Sequence, residues 1–221
     1  MLGQSSEPLI RWDWIGGHLD DITALLGEHV FLTVVPVVLG LVISLPLAVA
    51  ATGRPRLSTA LLSVTSALYT IPSLAFFVLL LPFTGLSRTT AVIALTVYTL
   101  VILARNTLTG LAGVPRDVTE AAEAMGYRRG ARLLRVELPL ALPVIMAGVR
   151  IATVTTIGLV TISAFIGQGG LGRLFLDGFR RNFLTPVIVG FVLSMALAVA
   201  ADLLLLLAQR RATPWAKEAG S

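Results

Sequence analysis

The sequence has no cysteine, only two histidines and few charged residues. Without cysteine the chain can form neither a disulfide nor a thiolate metal site, and His18 and His29 alone offer little for a metal centre or a histidine-based nucleophile. Charged residues make up 13% of the 221 residues and hydrophobic residues 56%, with a mean hydropathy of +0.88. A soluble domain of this length needs more polar surface, so the composition predicts a protein surrounded by lipid.

Two further patterns are missing. No GxxxxGK[ST] stretch is present to cradle phosphates, so the chain is not expected to bind ATP itself. The first residues are acidic and mixed rather than basic and then apolar, so they do not resemble a signal peptide. Trp12, Trp14 and Ile15 could instead form a short amphipathic helix at the headgroups, and a flexible tail is the alternative.

Five apolar runs are long enough to cross a bilayer as helices, which takes about 20 residues each. They predict an all-α polytopic bundle with spans over residues 30–51, 57–86, 89–108, 140–166 and 187–208. The second run is about thirty residues long and contains Pro72 and Pro82, so we expect it to kink or break near Tyr69 and Pro72. The predicted domains are an interfacial N-terminal segment (1–29), a membrane domain (30–208) with a polar loop (111–139), and a C-terminal tail (209–221).

Basic residues concentrate in the segments after the first, third and fifth spans. They are Arg54, Arg56, Arg116, Arg128, Arg129, Arg132, Arg135, Arg210, Arg211 and Lys217. The positive-inside rule makes this side cytoplasmic, although Arg173, Arg180 and Arg181 on the other side weaken the asymmetry. The N-terminus is therefore predicted outside and the C-terminus inside. Because the net charge of +5 is explained by these loops, nucleic acid is not an expected partner.

The polar loop between the third and fourth spans predicts two short helices joined by a turn. Pro115 can open the first helix, and Asp117 and Glu120 suit its positive N-terminal end. Gly126 permits the turn that ends it. Its small face (Ala121, Ala122, Ala124) would let another protein approach closely, and Pro139 and Pro143 would restart the chain as the fourth span.

This loop resembles the EAA loop of ABC importer permeases. The residues that carry the resemblance are Glu120, Ala121, Ala122, Gly126, Val136, Leu138 and Pro139, with valine at position 136 where the family usually has isoleucine. The resemblance implies a type I (MetI-like) permease fold in a bacterial cytoplasmic membrane. In that family the loop forms coupling helices that dock into a cytoplasmic ATPase dimer, which binds ATP and Mg²⁺. The chain itself would be no enzyme and would bind no metal or cofactor.

Other segments resemble the permeases of osmoprotectant importers: residues 69–75, 105–110, 148–153 and 165–172. That resemblance implies glycine betaine, choline or carnitine as cargo. It also implies a separate extracytoplasmic substrate-binding protein and a second permease, either another copy or a homologue. The alternatives are an ABC importer for another cargo, such as methionine, and an ion-coupled secondary transporter.

The residues offered as substrate contacts are Tyr69, Pro72, Ser73, Tyr98 and Phe165. Aromatic faces can cage a quaternary ammonium, but these rings could equally pack the bundle or face lipid, and the permease could lack a tight site. A glycine-rich turn follows the fourth span, at Gly167, Gly169, Gly170 and Gly172. It is interpreted as an outer gate or receptor turn, with a purely structural turn as the alternative. No strand precedes it, which argues against a nucleotide site.

Three charges lie in or near the spans: Arg105, Arg150 and Asp202. Charges at such depth are costly unless they face protein or water. We predict an ion pair between Asp202 and either arginine, with snorkelling of each toward the headgroups as the alternative. A proton-coupling role for Asp202 is a further hypothesis.

Overall fold

The computed structural model describes residues 9–215, and within that range the regular structure is helical. Residues 1–8 and 216–221 of the two predicted terminal segments lie outside the described residues. Besides α-helices, the chain contains a π-helical turn (Leu133–Glu137) and a 3₁₀ turn (Ser163–Ile166). The helices are α1 (Trp12–Gly17), α2 (Leu19–Ala51), α3 (Pro55–Tyr69), α4 (Ser73–Thr84), α5 (Arg88–Ala112), α6 (Arg116–Ala124), α7 (Arg129–Arg132), α8 (Leu138–Ile162), α9 (Gly172–Arg181) and α10 (Leu184–Ala212).

Five membrane crossings fit this architecture. Four helical stretches are long and apolar enough to span alone: α2, α5, the continuous stretch Arg129–Ile166, and α10. The fifth crossing is the pair α3 and α4, which bends by 91° at the segment between Tyr69 and Ser73. The predicted break in the second span is therefore present.

The first span begins earlier than the sequence pattern predicted. Helix α2 starts at Leu19 rather than Val30 and runs for 33 residues. The polar pair Glu28 and His29 does not end the apolar run, because both side chains have partners inside the protein. The boundary between residues 29 and 30 is thus the middle of a helix. Ahead of it, α1 forms a helix of six residues that includes Trp14 and Ile15.

The fourth span also differs from its prediction. Instead of restarting at Pro139, the helix runs through Pro139 and Pro143 without a break, giving a stretch of 38 residues from Arg129 to Ile166. The π-helical turn lies just before Pro139, and there the amide of Leu138 donates to the carbonyl of Leu133 five residues earlier. This wider turn accommodates a ring that has no N–H and would crowd a regular turn.

Helices α2, α5 and α8 pack closely at the centre of the bundle. Small residues allow the close approach, as in other membrane proteins. A Cβ atom added at Gly40 of α2 would meet Thr99 of α5, and one added at Gly148 of α8 would meet Asn106 of α5. In contrast, the most apolar window of α10 contains no buried residue. Helix α10 packs against α8 and α9 and leaves its other side open.

Candidate functional site

The loop between α5 and α8 turns at Gly126, as the sequence predicted, but only α6 is a separate short helix, because α7 continues without a break into the fourth span. Pro115 precedes α6, and Asp117 lies in its first turn. At the other end, the amide of Tyr127 donates to the carbonyl of Ala122 at 3.1 Å while Gly126 adopts a φ of 83°. This is the usual left-handed glycine termination of a helix. A Cβ at Gly126 would meet no other atom within 4 Å, so only its backbone conformation calls for glycine.

The residues predicted to contact an ATPase divide into two groups. Glu120, Ala121 and Gly126 are exposed, whereas Ala122 is 1% exposed and faces inward. Leu138 packs with the cluster at the base of α8, so Leu138 and Pro139 anchor the loop to the bundle rather than form its outer face. The sequence interpretation missed Met125, which adds a 71% exposed apolar side chain beside the small residues.

Arg132 connects the two halves of this loop. Its guanidinium contacts Glu123 of α6, and its Nε donates to Oε1 of Glu137 at 2.6 Å. The side chains of Arg132 and Glu137 are only 20% and 12% exposed. Helix α6 is therefore tied directly to the start of the fourth span. The arginine-rich composition of the loop gave no sign of this internal bridge.

The break between α3 and α4 collects four of the five predicted substrate contacts. Tyr98 of α5 is 4% exposed, and its hydroxyl donates to the carbonyl of Ile71 at 2.5 Å. Its ring meets those of Tyr69 and Phe76 edge-on, with centroids 5.7 Å and 5.9 Å apart. Pro72 caps α4 and Ser73 is its first residue. Tyr98 therefore satisfies a carbonyl that the broken helix leaves free. Its ring packs against Tyr69 and Phe76 at the same break, so both the hydroxyl and the ring have a structural role.

Phe165 lies elsewhere, in the 3₁₀ turn after α8, and is 62% exposed. The glycine-rich turn follows it. Gly167, Gly169 and Gly170 all have positive φ values. Added Cβ atoms would come within 2.4 Å of Ala164 at Gly169, 2.6 Å of His29 at Gly170 and 2.5 Å of Thr161 at Gly172. Three of the four glycines thus let this turn pack tightly: Gly169 against the 3₁₀ turn, Gly170 against α2 and Gly172 against α8.

Two polar residues that the sequence interpretation passed over join α2 to its neighbours, Glu28 to this turn and His29 to α8. Oε1 of Glu28 accepts a hydrogen bond from the amide of Gly169 at 3.2 Å and lies 3.9 Å from Nη2 of Arg173. His29 is fully buried and its Nε2 donates to the carbonyl of Ile157 at 3.1 Å. Their signal in the sequence was an acid and a histidine directly before an apolar run, where side chains need internal partners.

The predicted intramembrane ion pair is present, and its arginine is Arg150. Nε and Nη2 of Arg150 donate to the two carboxylate oxygens of Asp202, each at 2.8 Å. This bidentate pair joins α8 to α10. Arg105 is exposed and does not pair with Asp202. Between residues 9 and 215, no group of three or more His, Asp or Glu side chains is arranged to hold a metal ion.

Comparison with known proteins assigns this sequence to a family. Residues 31–214 match the binding-protein-dependent transport system inner membrane component family. The glycine betaine/carnitine/choline transport system permease protein OpuCB of Bacillus subtilis (strain 168) is 35% identical over 188 residues, which is 85% of this chain and 87% of that protein. The osmoprotectant import permease protein OsmW of Salmonella typhimurium is 37% identical over 189 residues, with 83% and 88% covered.

Solved structures share the fold. A permease chain of the inward-facing MetNI methionine ABC transporter superposes with a TM-score of 0.79 at 24% identity, covering 89% of this chain and 98% of that one. An amino acid ABC transporter solved with histidines gives a TM-score of 0.75 at 19% identity, covering 91% and 99%. The chain therefore belongs to the binding-protein-dependent transport system inner membrane component family, as a multi-pass permease subunit of an ABC importer.

Proposed function

We propose that this chain forms part of the translocation pathway for a quaternary-ammonium osmoprotectant such as glycine betaine, choline or carnitine. The observation that carries the proposal is the match over about 85% of the chain to permeases named for these cargoes. ATP and Mg²⁺ bind to a separate ATPase dimer, which performs the hydrolysis. A substrate-binding protein outside the membrane delivers the cargo, and a second permease, another copy or a homologue, completes the pathway.

Coupling to the ATPase occurs through the exposed face of α6. Glu120, Ala121 and Met125 offer a small, partly apolar surface with one acidic group. Arg132 connects α6 to the fourth span, so a displacement of α6 is transmitted to α8 without an intervening flexible segment. When ATP draws the two ATPases together, the two coupling loops follow, and the pathway changes from inward-open to outward-open.

The coupling loop faces the cytoplasm, with the N-terminus outside and the C-terminus inside a bacterial cytoplasmic membrane. The arginines support this orientation: those after α2, in the coupling loop and at the end of α10 all lie at one end of the bundle. The opposite end carries the acidic start of α2, with Asp20 and Asp21 in its first turn.

Within the membrane, the broken second span provides the part of the pathway that can rearrange. Breaks in a span are tolerated where they face protein or a water-filled cavity. Tyr69, 41% exposed, is the member of the aromatic cluster that can reach cargo, while Tyr98 secures the break. The glycine turn at residues 167–172 forms the outer gate, which Glu28 holds against α2.

The decisive experiment is substrate-stimulated ATP hydrolysis by the permease reconstituted with its ATPase and substrate-binding protein. Glycine betaine, choline, carnitine and methionine are compared in wild type, Glu120→Ala and Gly126→Asp. Gly130→Ala, in the same loop and with no atom within 4 Å of the new methyl group, is the matched control. Stimulation by a quaternary amine that the first two variants lose and the control retains would support the proposal. Stimulation by methionine alone would overturn the cargo, and transport on an ion gradient without ATP would overturn the coupling.

A further inference from the structure

A cavity of about 820 Å³ opens at the end of the bundle opposite the coupling loop. Its walls come from α1, the start of α2, the first residue of α5, the 3₁₀ turn and α9. The length of α5 gives the distance between the cavity and the coupling loop. The helix begins at Arg88 in the cavity wall and ends at Ala112 beside the coupling loop, roughly 37 Å away along its axis. The cavity is large enough for a small ligand with its surrounding water.

One part of the cavity wall is aromatic. Trp14, Phe31 and Phe165 line it, and the ring of His18 stacks on Trp14 with centroids 4.4 Å apart. Phe31 and Phe165 are 44% and 62% exposed, so their ring faces are accessible to a ligand. A quaternary ammonium has no hydrogen to donate, so aromatic faces are the groups that recognise it best.

Carboxylates lie beside these rings. Glu28 is 10% exposed, and its position is fixed by the amide of Gly169. Asp21, about two turns earlier on α2, is exposed and makes no hydrogen bond or ion pair with the described residues. Negative charge near the rings attracts a cation that cannot form a hydrogen bond. Asp21 supplies such charge unpaired among the described residues, and Glu28 adds to it although Nη2 of Arg173 lies 3.9 Å from its Oε1.

Guanidinium groups occupy other positions on the same wall. Arg173 is engaged by the carbonyl of Gly167 and by the carboxylate of Glu28. Arg88 and Arg180 are exposed and, among residues 9–215, have no hydrogen-bond or ion-pair partner. A cavity that met only a cation would gain nothing from these two groups. They suit a ligand that carries a carboxylate as well as a quaternary ammonium.

We propose that this cavity binds a zwitterionic quaternary amine, with the ammonium against Phe31, Phe165 and the carboxylates, and the ligand's carboxylate toward Arg88 and Arg180. The inference rests on the proposed function, since it assigns the cargo class to a site of its own. The site receives cargo at the outer end of the permease before the cargo enters the span region. It accounts for an aromatic and charged cavity that the coupling loop and the broken span leave unexplained.

The test measures equilibrium binding of radiolabelled glycine betaine to the permease–ATPase complex in lipid nanodiscs, without the substrate-binding protein. Phe165→Ala should weaken binding about tenfold and Phe165→Tyr by less than about twofold, because a cation–aromatic contact is worth that much once water is excluded. Phe179→Ala is the matched control, since Phe179 is 72% exposed on α9 and does not line the cavity. As a competitor, 3,3-dimethylbutanoate, which has the same shape and carboxylate without the positive charge, should be at least about tenfold weaker.

A separate experiment tests whether Arg88 and Arg180 bind the ligand's carboxylate. Arg88→Gln combined with Arg180→Gln should lower glycine betaine binding and leave choline, which has no carboxylate, unchanged. Equal effects of Phe165→Ala and Phe179→Ala, or equal competition by 3,3-dimethylbutanoate, would overturn the site. So would variants that weaken only the association of the substrate-binding protein, since the wall would then be its docking surface. The two proposals fail in different ways. If only this site is wrong, betaine still stimulates ATP hydrolysis by the wild-type transporter with its substrate-binding protein. If the proposed function is wrong, betaine does not stimulate hydrolysis by wild type at all.

Discussion

Replacing Gly40 by alanine tests how closely α2 and α5 pack. The new Cβ would lie 1.9 Å from Oγ1 of Thr99, 3.0 Å from its Cβ and 3.2 Å from Cδ1 of Leu103. Thr99 is 1% exposed and donates its hydroxyl to the carbonyl of Thr96 at 2.7 Å. The methyl group can be accommodated only if Thr99 rotates and gives up that bond, or if the two helices move apart.

The expected loss of stability follows from these two routes. Overpacking a well-packed core costs about 1–3 kcal/mol, and the lost hydrogen bond adds about 1 kcal/mol. Gly40→Ala should therefore lower the free energy of unfolding by about 2–4 kcal/mol. The control is Gly158→Ala on α8, where nothing lies within 4 Å of the new methyl group. Alanine there should be neutral, or stabilising by up to about 1 kcal/mol, through helix propensity.

Unfolding in mixed micelles, titrated with a denaturing detergent and followed by circular dichroism, compares the two variants. Adding Thr99→Ala to Gly40→Ala removes the closest atom but leaves the two Cβ atoms 3.0 Å apart. The double variant should therefore recover part of the loss, and the double-mutant cycle should show favourable coupling. The packing of α2 on α5 described above is wrong if Gly40→Ala and Gly158→Ala have the same free energy of unfolding. It is also wrong if adding Thr99→Ala recovers none of the stability lost in Gly40→Ala.

Three further predictions concern other parts of the chain. Gly126→Ala should cost about 1–2 kcal/mol of loop stability, because alanine disfavours a positive φ, and should weaken ATPase association in a pull-down. Arg150→Asp and Asp202→Arg should each impair uptake into proteoliposomes, and the double exchange should restore part of it; equal impairment of all three would count against the pair. Gly169→Ala would place a Cβ 2.4 Å from the amide nitrogen of Ala164, so its melting temperature in detergent should fall well below that of wild type.

Most of the fold could be predicted from the sequence because the bilayer imposes length and polarity on every span. Apolar runs separated by arginines predicted five crossings, and Pro72 together with Tyr69 indicated the break in the second one. The coupling loop was predictable for local reasons, since Pro115 opens α6 and Gly126 ends it. These features depend on residues close together in the sequence.

The features that could not be predicted depend on partners far along the chain. The start of α2 at Leu19 requires that Glu28 and His29 find partners at Gly169 and Ile157, more than 120 residues away. Two arginines at similar depth could each have paired with Asp202, and only the packing of α8 against α10 selects Arg150. The substrate contacts were harder still, because an aromatic ring in a span has the same local signal whether it packs or binds cargo.

The unbroken helix from Arg129 to Ile166 limits how the length of this chain can vary. Its 38 residues extend about 57 Å from the coupling loop to the glycine turn. One inserted residue within it would advance the glycine turn by about 1.5 Å and rotate it by about 100° relative to the loop. As a result, either the coupling loop would no longer face the ATPase, or Gly169 and Gly170 would no longer face α2. Insertions that preserve function should therefore fall outside this helix, where added residues do not rotate the glycine turn relative to the coupling loop.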